Sequence, residues 1–92
     1  MRPETAETIA IQGLAWLAGN EELLPVFMGS SGVSADDLRQ RASDPVFLGS
    51  VLDFLMMDDA WVVQFCDAVS IGYDRPMRAR QSLPGGQDVS WT

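Results

Sequence analysis

Ninety-two residues make one small domain, which buries only about 60–65% of the surface its unfolded chain exposes. With 47% apolar residues, three Trp and four Phe, the chain is too hydrophobic to be disordered. Its net charge of −7, with no Lys and no His, argues against broad binding of phosphate backbones and removes the usual general base.

The first predicted helix runs from Pro3 to Ala18. Pro3 suits the first turn, Glu4 and Glu7 favour the positive helix end, and Ala6, Ile9, Ala10, Gly13, Leu14 and Leu17 recur at three- and four-residue spacing. Gly13 in mid-helix costs about 1 kcal/mol relative to Ala, a cost expected to be offset by close approach of another helix. Ile9–Ala18 does not read as a secretory leader: Glu4 and Glu7 stand where positive charge is expected, and Gln12 interrupts the apolar stretch. No apolar run reaches the roughly 18 residues of a membrane span. After Gly19, Asn20 is the expected N-cap of a second helix, short or bent at Pro25, with Gly29-Ser30-Ser31-Gly32 as the following turn. Ser34, backed by Asp36 and Asp37, announces a third helix anchored by Leu38 and ending near Ala42.

Asp44-Pro45 starts a fourth helix, with Phe47, Leu48, Val51, Leu52, Phe54 and Leu55 on its apolar face and Gly49, Ser50 and Asp53 opposite. Asp58 or Asp59 caps a fifth, whose apolar positions are Trp61, Val62, Phe65, Cys66 and Val69 and whose end lies near Ile71-Gly72. A short sixth follows Asp74, with Pro76 in its first turn and Met77, Ala79 and Leu83 on one side. The pattern predicts an all-α fold: a compact bundle of five or six short helices over residues 1–83, with 84–92 as a flexible C-terminal tail. Strand-like alternation, internal repeats and low-complexity tracts are absent from the sequence.

Several segments carry a resemblance. They are Leu14-Ala15-Trp16-Leu17-Ala18, Gly32 with Asp37-Leu38-Arg39, Asp44-Pro45-Val46-Phe47-Leu48, Val51-Leu52-Asp53-Phe54-Leu55 followed by Asp58, and Leu83-Pro84-Gly85-Gly86. On these the chain resembles a small bacterial family of stand-alone proteins known only as a domain of unknown function. The resemblance implies an all-helical fold and carries over no activity and no catalytic residue.

The candidate sites are few. Asp53 interrupts an apolar run, and a solvated or helix-pairing carboxylate, with Arg39 or Arg41 as candidate partner, explains it better than catalysis does. Asp58-Asp59 reads as a helix cap; the third carboxylate and the Gly of a calcium loop are missing. Cys66 cannot form an internal disulfide, which sets a cytoplasmic location as the default, and with no His to activate it the thiol reads as buried and inert. No catalytic, metal or cofactor-binding residues are assigned.

The segment Leu23–Leu38 has a helix-turn-helix outline, but Asp36 and Asp37 put the wrong charge in the first turn of the would-be recognition helix. Arg75, Arg78 and Arg80 form a basic cluster in an otherwise acidic chain, a possible contact for nucleic acid or an acidic protein face. Met56 and Met57, with Trp61 nearby, form a possible partner-binding patch at the joint of helices four and five, with core filling as the plainer explanation. The expected function is a non-enzymatic helical domain that binds an unknown protein partner or itself. Nucleic-acid binding and a carboxylate-based enzyme are the alternatives.

Overall fold

The computed structural model describes residues 1–84. It contains six helices: α1 (Pro3–Ala18), α2 (Leu23–Ser31), α3 (Ala35–Arg41), α4 (Pro45–Leu55), α5 (Asp59–Val69) and α6 (Arg75–Gln81). There is no strand among the described residues, and no helix is long and apolar enough to cross a membrane. Connections of three to five residues force successive helices to turn back on one another.

α4 is the centre of the fold. Phe47, Leu48, Gly49, Val51, Leu52, Phe54 and Leu55 are all buried, because apolar residues occupy more than one side of this helix. α1 packs against α4 and α6 along its Ala6–Ala10–Gly13–Leu17 stripe. Gly13 permits that approach: a Cβ here would stand 2.9 Å from Cδ1 of Leu55 and 3.8 Å from Phe65 Cζ and Val51 Cγ1. α6 closes the bundle with Pro76, Ala79 and Leu83 buried. Met77, expected on that face, is half exposed instead. The spacing 76, 79, 83 puts the rigid Pro76 ring inward and turns Met77 outward.

The helix ends follow their capping chemistry. Asn20 accepts from the backbone N–H groups of Glu22 and Leu23, both at 3.0 Å. Ser34 and Asp37 form a reciprocal capping box: Ser34 Oγ accepts from Asp37 N–H at 3.2 Å, and Asp37 Oδ2 accepts from Ser34 N–H at 3.1 Å. These bonds, the backbone one first, hold the Asp37 carboxyl below its ordinary pKa. Asp44 caps α4 and Asp58, rather than Asp59, caps α5. α5 ends at Val69, earlier than Ile71-Gly72, because Ser70 takes the left-handed conformation (φ 60°) and Ile71 N–H reaches back to the Cys66 carbonyl.

The expected turn at Gly29–Gly32 is a correction. α2 continues through Ser31, where Ser30 and Ser31 donate their hydroxyls to the Phe27 carbonyl at 3.3 and 2.7 Å, and Gly32 (φ 74°) caps the helix. Small polar residues here cap and line the last turn without breaking it. At the other end of the chain, Pro84 accepts a hydrogen bond from Arg80 Nη1 at 2.9 Å; the rest of the expected tail, 85–92, lies outside the described residues.

Candidate functional site

Four aromatic rings build one corner of the bundle, where α2, α4 and the start of α5 meet. Phe27 meets Phe54 edge-on at 5.1 Å and Phe47 at 6.1 Å, and Trp61 stacks on Phe54 at 5.0 Å with the planes 23° apart. Trp61 and Met56 are half-buried and pack against the core. Met57 is 75% exposed. Of the three residues expected as a partner patch, Met57 therefore offers its side chain to solvent, Trp61 backs Phe54, and Met56 packs against the core.

A groove of about 370 Å³ runs beside Met57, lined by Phe27, Ser30, Ser31, Ser50, Asp53, Phe54 and Met57. Asp53 sits on its rim with its side chain 55% exposed. Its partner is neither Arg39 nor Arg41: Arg80 Nε donates to Asp53 Oδ1 at 2.7 Å. α6 lies against α4, whereas α3 points Arg39 and Arg41 into solvent. The Arg80 side chain is only 17% exposed and lies over Gly49, where a Cβ would stand 2.9 Å from Nη1 and 3.1 Å from Cζ. Gly49, expected on the polar side of α4, is buried for this reason.

The basic cluster is divided. Arg80 is bonded to Asp53 and to the Pro84 carbonyl. Arg78 makes an exposed contact with Asp74 at 3.5 Å, and Arg75 is exposed at the start of α6. Arg80 thus links the expected basic cluster to the rim of the expected apolar patch, while Arg75 and Arg78 face elsewhere. The groove residues Phe27, Ser30, Ser31 and Ser50 escaped the sequence reading. Spacings 27–30–31 on α2 and 50–53–54 on α4, with Met57 just past its end, carry the signal, which becomes visible once α2 is extended past Gly29.

Elsewhere the chemistry is quiet. Cys66 is fully buried, and burial first, then the charges of Asp67 and Asp74, push its thiol pKa up, so the weakly nucleophilic protonated form is favoured. Tyr73 donates its hydroxyl to Asp67 Oδ1 at 2.8 Å, and that bond raises its pKa. Among the described residues no three His, Cys, Asp or Glu side chains are grouped to hold a metal ion. A wider cleft of about 650 Å³ lies between α1 and the start of α2, against Gln64, but its Asn20 oxygen is already used in capping.

A family model described as "Protein of unknown function (DUF3572)" matches residues 3–86. The chain belongs to this family. The match to DUF3572 begins at the first residue of α1 and runs past α6, so all six helices lie within it. It agrees with the resemblance carried by the Asp44–Leu48 and Val51–Leu55 segments. No curated protein and no solved structure matches the chain.

Proposed function

We propose that this DUF3572 domain is a non-enzymatic protein-binding module that docks a partner at the corner formed by α2, α4 and α5. The observation that carries this reading is Met57: a large, unbranched apolar side chain left 75% exposed at the lip of an aromatic groove. A domain this small has few apolar residues to spare, and flexible Met side chains suit adaptable contact surfaces. Phe27 and Phe54, packed edge-on in the groove wall and backed by Trp61 stacked on Phe54, give a docked side chain a rigid surface. A buried, protonated Cys66 and the engagement of Arg80 within the fold fit a binding role better than catalysis or nucleic-acid contact. The reading places the domain in the cytoplasm, where a lone reduced thiol is ordinary.

The test is a mild affinity purification of the tagged protein from its native cell, with co-purifying protein and nucleic acid both measured. The expected result is a stoichiometric protein that disappears with Met57→Glu while the melting temperature holds. Co-purifying nucleic acid released steeply by salt would establish the nucleic-acid alternative instead. Recovery of the protein alone in both forms would defeat the docking role.

A further inference from the structure

The chemistry along the groove selects among partners, on the premise that the α2–α4–α5 corner is the docking face. Its hydroxyl hydrogens are already spent. Ser30 and Ser31 donate to the Phe27 carbonyl, and Ser50 donates to the Phe47 carbonyl at 2.6 Å. What these side chains have left to offer are acceptor lone pairs. Asp53 adds a carboxylate whose Oδ1 takes Arg80 and whose second oxygen accepts no hydrogen bond among the described residues.

The charge runs the same way. α2 terminates in the groove at Ser30 and Ser31, and its last turn holds no Arg or Lys to balance the negative helix end. Asp58 and Asp59, both exposed, follow Met57 in the chain; neither lines the groove, and Asp58 caps α5, but both add negative charge to the approach beyond Met57. Arg80 offsets the charge of Asp53 but is itself mostly covered, so it adds little positive surface. The groove therefore combines apolar surface from Phe27, Phe54 and Met57 with a rim of acceptors and negative charge.

We infer that the occupant is a basic amphipathic segment of another protein: a helix carrying Leu or Phe to enter the groove, with Lys or Arg beside it to meet the rim. A second copy of this chain is the poorer fit. A two-fold contact at this corner would bring two copies of the same acceptor-rich, acidic surface together with no basic counterpart on either but the mostly covered Arg80, and like charges across an interface are costly.

The probe is a synthetic amphipathic helical peptide of leucine and lysine, titrated into isotope-labelled protein and followed by amide resonances. Its controls are the leucine–glutamate counterpart and an all-lysine peptide. Shifts centred on Ser30, Ser31, Ser50, Asp53 and Met57 are expected with the leucine–lysine peptide alone, weakening as salt rises. Ser50→Lys, an exposed position, is expected to weaken binding about tenfold with an unchanged melting temperature. Met57→Ser is expected to weaken it similarly by removing apolar surface.

Equal binding of the glutamate peptide at the corner would overturn the basic partner and leave the docking face standing. All-lysine binding as tight as that of the leucine–lysine peptide would reduce the effect to general attraction by an acidic chain, and so overturn it. Concentration-dependent dimerisation that shifts the same resonances would make a second copy the occupant. Silence at the corner with every peptide would remove the docking face itself.

Discussion

α3 and α4 are neighbours in the chain, joined by three residues, and each starts on a side-chain cap, yet they are held by different forces. α4 buries seven of its eleven residues. α3 buries none; Leu38 and Ala42 only lean against the core from its edge. Capping and charge at the ends sustain α3: the Ser34–Asp37 box and acids at its start, Arg39 and Arg41 at its finish. The same chain thus uses packing for one helix and local chemistry for the next, and the two should fail in different ways.

The largest contrast is expected from Leu52→Ala in α4. This fully buried side chain leaves a cavity, and the whole domain should lose about 2–5 kcal/mol in chemical denaturation. A loss below about 1 kcal/mol would mean that α4 is not the centre of the cooperative unit. Next comes Gly49→Val, which pushes into the Arg80 guanidinium and should cost about 1–3 kcal/mol. Combining it with Arg80→Met should cost less than the sum of the two single changes if Arg80 is the obstacle.

Ser34→Ala should remove about 1 kcal/mol from α3. Its signature is local: faster hydrogen exchange across Ala35–Arg41, with the melting temperature of the domain scarcely moved. A fall in stability equal to that of Leu52→Ala would erase the distinction between the helices. The smallest effect is the pH dependence of α3. The folded pKa of Asp37 lies below its unfolded value, so its contribution is fully present above the unfolded pKa and is lost as pH falls through the folded one. Protection of the α3 amides should therefore decline on acidification, and Asp37→Asn should flatten that decline.

Much of this fold was written in short signals. The limits of α1, the caps at Ser34, Asp44 and Asp58, and the apolar face of α4 follow from residue type and spacing over a few positions. Two of the errors depend on what lies across space. Gly29-Ser30-Ser31 has turn composition, but the Phe27 carbonyl takes up both hydroxyls and Phe27 itself is buried against Phe54, so tertiary packing carries α2 onward. Arg39 and Arg41 are the cations nearest to Asp53 in sequence. Its actual partner comes from twenty-seven residues away, through the docking of α6. Met57 was legible as a candidate contact residue, yet its exposure depends on α4 ending at Leu55, after which Met56 turns inward and Met57 outward.

The packing of the last helix on the first has a bearing on synthesis. α1 leaves the ribosome well before α6, the helix that packs against it and buries Pro76 and Ala79. Ser82 also donates its hydroxyl to the Met1 carbonyl at 3.1 Å, bringing the two ends of the bundle together. A product interrupted before Leu83 is expected to leave part of α1 uncovered and open to proteases, so burial of its apolar stripe waits on the synthesis of α6.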